Sequence, residues 1–146
     1  PVSSTAIVLG KFLGTYLFVL IIVAMAVAMT LSLEIGASLD TGTLSAGALA
    51  LTALAVTFSA AGVLLSTLTA QPAMAAISTF GLLLFAWFID AGLSADGVFA
   101  YLSALNHFRA LLSGVVDTGD VAYFGLSSIA FLLLAVQRID AARTPI

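Results

Sequence analysis

The stretch that decides the fold is residues 46 to 70, AGALALTALAVTFSAAGVLLSTLTA. No residue in this stretch is charged. A bilayer core about 30 Å thick needs roughly 20 apolar residues per helix, because in lipid each backbone N–H and C=O must be satisfied within its own segment. The stretch therefore predicts a helix that crosses a membrane.

Small residues recur along this predicted helix at steps of four and three, which places them on one face. They are Ala46, Ala50, Ala53, Thr57 and Ala60. Small side chains let two helix backbones approach closely, and close packing holds helices together in lipid. We predict that this face packs against other helices, and that Ala48 and Ala55, on roughly the opposite side, face lipid.

The rest of the chain has the same character. It is 62% hydrophobic and 8% charged, with a mean hydropathy of +1.25, whereas about a quarter of the residues are charged in soluble proteins. Three further spans are predicted at residues 12–33, 73–89 and 121–137, with Pro72 suited to the first turn of the third span. The sequence predicts an all-α polytopic integral membrane protein, with residues 1–146 forming a single transmembrane domain of four helices surrounded by membrane lipid.

The distribution of basic residues predicts the orientation. Four spans place both ends of the chain on one side. Lys11, Arg138 and Arg143 fall on that side, and Arg109 falls on the other. Six acids accompany Arg109: Glu34, Asp40, Asp90, Asp96, Asp117 and Asp120. Because basic residues favour the cytoplasmic side, we expect both ends of the chain to be cytoplasmic. The net charge of -3 is too small to indicate a nucleic-acid partner.

Residues 94–120 are predicted to form an external helical segment between the third and fourth spans. Between residues 98 and 116, the spacing predicts one amphipathic helix. Its apolar stripe holds Leu102, Leu105, Leu112 and Val116, and its polar stripe holds Ser103, Asn106, His107, Ser113 and Asp117. This helix would lie in the membrane interface or dip back into the protein, with its polar stripe towards water or a cavity.

Two readings of the polar residues in this segment differ in chemistry. On a continuous helix His107 and Asp117 are about 15 Å apart, so they cannot form a proton-relay pair. Asp117 and Thr118 are expected to cap the last span by accepting from free N–H groups, while a cation contact on the external face is the alternative. We expect no catalytic residue, metal site or cofactor in the chain, which has no Cys.

Two residue pairs in or beside the first span are interpreted as helix-packing residues. Met25 and Met29 lie one turn apart and could offer thioether ligands to copper(I), but core packing is the favoured interpretation. Gly10 and Gly14 form a small-xxx-small pair, which predicts close contact with another helix.

Three stretches in order resemble the ABC-2 type permeases, in the branch of gliding-motility and nitrous-oxide-reductase-accessory permeases. They are PVSSTAIVLGKFLG at residues 1–14, GVLLSTLTAQPAMAAISTFGLLL at 62–84, and YLSALNHFRALLSGVVDTGDVAYF at 101–124. The most specific part is the pattern His107, Phe108, Gly114, Asp117 and Asp120 in the external segment. The resemblance covers nearly the whole chain.

The resemblance implies a function as well as a fold. The four spans are similar to the last four of six permease helices, which implies two further spans and a coupling helix upstream. The chain opens on Pro1 rather than Met, so we expect it to be part of a longer protein. The implied protein is a permease subunit in a bacterial cytoplasmic (inner) membrane, paired with a second permease subunit as a homo- or heterodimer.

In such a transporter, a separate ABC ATPase subunit binds ATP and Mg²⁺, and its closure tilts the permease halves to move a substrate across the membrane. The turn from Thr69 to Pro72 lacks the basic residue that relatives often carry. Composition and periodicity alone equally permit a membrane scaffold or assembly factor with no transport path.

Overall fold

The computed structural model describes residues 2–33, 36, 38, 40–93 and 97–144. Six helices and no strand occur among these residues. The helices are α1 (Ser4–Ser32), α2 (Thr41–Leu68), α3 (Pro72–Leu93), α4 (Val98–Leu102), α5 (Ala104–Leu112) and α6 (Thr118–Arg143). Four of them, α1, α2, α3 and α6, are long and apolar enough to cross a membrane. The predicted all-α polytopic membrane fold is therefore confirmed.

Each spanning helix is longer than its predicted span. Helix α1 begins at Ser4, where the Ser3 hydroxyl accepts a hydrogen bond from the Ala6 N–H. Hydropathy marks the edge of the apolar segment, whereas a capping side chain marks the end of a helix. Glu34, which bounds the first predicted span, and residues 94–96, where the predicted external segment begins, lie outside the described residues.

Two predicted helix starts are confirmed. Helix α3 begins at Pro72, immediately after a short connection from α2. Helix α6 begins after Asp117, whose carboxylate accepts a hydrogen bond of 3.1 Å from the Gly119 N–H. In the same way, Asp40 caps α2, and bonds from the Thr43 hydroxyl and the Gly42 N–H lower the pKa of its carboxyl.

Helix α2 lies at the centre of the bundle and contacts α1, α3, α5 and α6. Four members of the predicted small-residue face are buried, namely Ala46, Ala50, Thr57 and Ala60. The fifth, Ala53, packs at the edge of a buried cluster. The prediction that Ala55 faces lipid is wrong, since that side chain is also buried. Helices surround α2 on more sides than a single packing stripe implies.

A buried hydrogen-bond network joins α2 to α6. The Thr57 hydroxyl lies 3.1 Å from the Ser128 Oγ and 3.2 Å from the Phe124 carbonyl oxygen. Ser128 in turn donates to that carbonyl at 2.7 Å. Hydrogen bonds of this kind between membrane helices contribute about 0.6 kcal/mol on average. Packing rather than hydrogen bonding therefore supplies most of the free energy of this helix contact.

The bundle has two ends that differ in structure. At the terminal end, the Arg143 guanidinium donates to the Val2 carbonyl at 2.8 Å. The two ends of the described chain therefore lie together, as four spans predict. A core of Val8, Val63 and Ala135 lies towards this end. The opposite end, called here the loop end, holds α4 and α5.

Helix α1 is peripheral, and two predicted contacts are not made within the described chain. Met25 and Met29 are exposed on the outside of the bundle, so they are not core residues. A Cβ atom at Gly10 or Gly14 would meet nothing within 4 Å among the described residues. Both pairs have helical spacing, but among the described residues α1 packs mainly against α2 and α6.

We predict that the substitution Ala60→Leu lowers the stability of the intact protein in detergent by about 1–3 kcal/mol, the usual cost of overpacking a tight interface. Ala60 is 0% exposed. The same substitution at Ala24, on the exposed face of α1, should change stability by less than about 0.5 kcal/mol. Thermal unfolding of the two variants makes the comparison, and equal losses would contradict the central position of α2.

Candidate functional site

The candidate site lies at the loop end, where the chain breaks into two short helices. The prediction of one continuous amphipathic helix over residues 98–116 is wrong. Helix α4 ends at Leu102, and Ser103 then caps α5 by accepting from the Asn106 N–H at 3.2 Å. Helix α5 ends at Leu112, and Gly114 follows with a φ of +86°. A positive φ suits glycine because it has no Cβ atom.

Helix α5 reaches into the bundle. Leu111 is fully buried with Ala50 of α2 and Phe124 of α6. Ala50 is nine residues after the start of α2, which corresponds to about 13 Å along the helix. Helix α5 therefore packs into the protein, as one of the two predicted positions requires.

The last three carbonyls of α4 each accept a hydrogen bond from a side chain. The Asn106 amide donates to the Ala100 carbonyl at 3.2 Å. The His107 Nε2 lies 2.9 Å from the Tyr101 carbonyl oxygen, and the Tyr123 hydroxyl donates to the Leu102 carbonyl at 2.7 Å. The carbonyls at a helix end have no partner within the helix. We call Asn106, His107 and Tyr123 the carbonyl-binding cluster.

His107 is held on both of its ring nitrogens. Since a carbonyl only accepts, Nε2 carries the proton that it donates to Tyr101. On the other side, Nδ1 lies 2.5 Å from the Asp120 Oδ1, and the two side chains are each 13% exposed. The ring also stacks on Tyr123, with centroids 4.2 Å apart. Both nitrogens are therefore occupied within the protein, which indicates a structural role for this histidine.

The separation of His107 from Asp117 was predicted from a continuous helix, and that premise is wrong. The chain turns between α5 and α6, so Asp120 comes back against His107. Asp117 does not contact the histidine and caps α6 instead.

The polar stripe also differs from the prediction. Ser103 is buried, and Asn106 and His107 bind backbone carbonyls rather than facing water or a cavity. Three leucine and valine positions that were assigned to the apolar stripe are exposed: Leu102, Leu112 and Val116.

The five residues of the resembling pattern each occupy a defined position in this contact region. His107 and Asp120 bind each other, and Asp117 begins α6. Phe108 packs against the buried cluster around Leu111. Gly114 has the positive φ that ends α5. The pattern thus describes how α5 attaches to α6.

Tyr123 was not singled out from the sequence, although it contributes both a ring and a hydroxyl to the cluster. The signal that could have found it is its position three residues after Asp120. Residues at that spacing share one face of a helix, and Phe124, one residue further on, is a core residue beside it.

No protein-family model matches the chain, and neither a curated protein nor a solved structure matches it. The assignment of a function therefore depends on the residues and the geometry described above.

We predict that Tyr123→Phe lowers the stability of the intact protein by about 0.5–1.5 kcal/mol, the usual net contribution of one hydrogen bond, because it removes the donor to the Leu102 carbonyl. Tyr16→Phe is the matched control, since the Tyr16 ring stacks on Phe12 and no hydrogen bond involves its hydroxyl among the described residues. Thermal unfolding should separate the two variants. Hydrogen exchange in residues 98–112 should accelerate only in Tyr123→Phe, and equal behaviour of both variants would contradict the role of the hydroxyl.

Proposed function

We propose that the chain is part of the permease subunit of an ABC-2 type transporter, which moves a substrate across a membrane. The observation that carries this proposal is the arrangement of the resembling pattern. His107 of α5 binds Asp120 of α6, and Asp117 caps α6, so these residues of the pattern have defined structural roles where α5 meets α6.

The bundle offers further support for a transport role. Four helices are able to span a membrane, and the two ends of the described chain meet at the terminal end. The short helices α4 and α5 therefore lie at the loop end, which is where a segment inserted between the last two spans must lie. The proposed location is the bacterial cytoplasmic membrane, with the terminal end on the cytoplasmic side.

The proposed mechanism places the chemistry on a partner. A separate ABC ATPase binds ATP with Mg²⁺, and its closure tilts two permease subunits relative to each other, which opens the pathway to one side or the other. The exposed glycines of α1, Gly10 and Gly14, leave a face on which a second permease subunit can pack closely. The present chain is proposed to act without cofactors and without catalysis of its own.

The orientation can be tested with single cysteines, because the sequence contains none. Val115→Cys, in the exposed connection between α5 and α6, should react with a membrane-impermeant thiol reagent in intact cells. Thr144→Cys, exposed at the terminal end, should react only after the cells are permeabilised. Labelling of Thr144→Cys alone in intact cells would reverse the proposed orientation.

The permease function can be tested with the intact gene and an ATPase gene from its neighbourhood. We expect tagged permease to recover the ATPase in near-stoichiometric amount, and ATP hydrolysis in lipid nanodiscs to differ from that of the ATPase alone. Untagged permease is the control for recovery. If no ATPase associates with the intact permease, and hydrolysis does not change, the scaffold or assembly-factor alternative is supported instead.

A further inference from the structure

A cavity of about 850 Å³ lies between α1, α2 and α3, towards the terminal end. It forms because α1 and α3 both pack on α2 but make no extensive contact with each other in the described chain. Its lining runs along α3 from Pro72 to Leu83, a length of about 16 Å at 1.5 Å per residue. This length is close to the thickness of one leaflet of a bilayer core, about 15 Å.

The lining is mostly apolar, but it includes one basic side chain. Lys11 lines the cavity from α1, and no carboxylate is among the residues of the lining that the structure describes. Lys11 lies seven residues after the start of α1, about 10 Å along the helix. A lysine at such a depth extends its ammonium group towards the interface while its methylene chain covers apolar surface. The cavity therefore favours an anion near its outer part.

A second polar group in the cavity has no partner. Ser59 is 3% exposed and lines the cavity, and its Oγ makes no hydrogen bond among the described residues. The hydroxyls of Ser66 and Thr79, also in the lining, donate to carbonyls of their own helices. A buried hydroxyl without a partner is unfavourable. The Oγ is covered in this rotamer, so a rotation about χ1 is needed to turn the hydroxyl towards an acceptor that a ligand brings into the apolar part of the cavity.

Ser59 and Lys11 lie at a similar depth. Val8 of α1 and Val63 of α2 belong to one buried cluster, and the two helices run in opposite directions. Lys11 is three residues after Val8, and Ser59 is four residues before Val63, so each is about one turn further from the terminal end. A charged group and a nearby acceptor on the same ligand could therefore reach both side chains.

The volume of about 850 Å³ is that of a small-molecule site, and the single basic side chain of the lining favours an anionic occupant. A cavity of 300–1,000 Å³ is typical of small-molecule sites.

We propose that the cavity binds an anionic phospholipid, with its phosphate at Lys11, an ester carbonyl accepting from the Ser59 hydroxyl, and one acyl chain along the apolar wall. The binding of this lipid does not depend on the proposed permease function. It would fill the gap between α1 and α3 and join two helices that make no extensive contact with each other in the described chain.

The test uses the intact protein in a neutral detergent, with binding followed by native mass spectrometry. Phosphatidylglycerol should bind more tightly than phosphatidylcholine with the same acyl chains. Lys11→Gln should weaken the binding of phosphatidylglycerol about fivefold, which corresponds to about 1 kcal/mol for one lysine near anionic lipid. Lys11→Arg should retain binding. Arg138→Gln removes the same charge from an exposed position on α6 and should leave binding unchanged.

Two further variants test the ester contact and the cavity itself. Ser59→Ala should weaken the binding of both lipids to a similar degree, because both carry the ester. The substitution should not destabilise the lipid-free protein. Ala76→Trp should block binding because Ala76 lines the cavity. The same substitution at Ala73, which is exposed and outside the lining, should not.

Several outcomes would overturn the proposal. Equal affinity for the two lipids, with no effect of Lys11→Gln, would remove the role of the charge. Equal weakening by Lys11→Gln and Arg138→Gln would indicate attraction to the protein surface rather than a site. Displacement of the lipid by inorganic phosphate at millimolar concentration would indicate a site for a free anion. Binding that is insensitive to Ala76→Trp would place the lipid elsewhere.

Discussion

The structure depends on one constraint, which is that backbone polar groups within a membrane protein need partners inside the protein. A long helix meets this requirement by itself, but two short helices do not, because each helix end leaves carbonyls without partners. Between α3 and α6 the chain solves the problem with side chains. The carbonyl-binding cluster supplies one donor to each of the last three carbonyls of α4. Asn106, His107 and Tyr123 are thus explained by the break in the helix.

The second requirement is close packing, and α2 meets it with small side chains. Lipid provides no hydrophobic drive for helices to associate, so van der Waals contact must hold them together. Ala50 and Ala60 are fully buried at different levels of α2, and α6 and α5 approach the helix at the first of these levels. A single helix with such a surface can contact four others, and this is why the described bundle has a centre rather than a ring of equivalent helices.

The sequence was sufficient to predict the spanning helices but not which residues surround each of them. Hydropathy located four helices because each apolar run is long and has few charges, and Asp117 and Pro72 located two helix starts through local chemistry. Periodicity failed for Met25, Gly10 and Ala55, because it identifies a face of a helix but not how many neighbours that helix has. It also failed for the stripe with His107, because an amphipathic pattern does not distinguish water from a backbone carbonyl as the partner of a polar side chain. The contact with Asp120 depends on a turn, which Gly114 makes possible but does not by itself determine.

The two ends of the bundle consequently differ in how firmly their helices are held. At the loop end, side-chain hydrogen bonds and the buried Leu111 attach α5 to α2 and α6. At the terminal end, α1 and α3 are separated by the cavity, and in the described chain both pack mainly on α2. Regions with few buried contacts open at lower free energy than tightly packed ones. A displacement of α1 relative to α3 therefore disrupts fewer contacts than a displacement of α5 relative to α6. Whatever fills the cavity acts on a weakly connected pair of spanning helices, and so has more influence on their separation than an equal contact at the loop end.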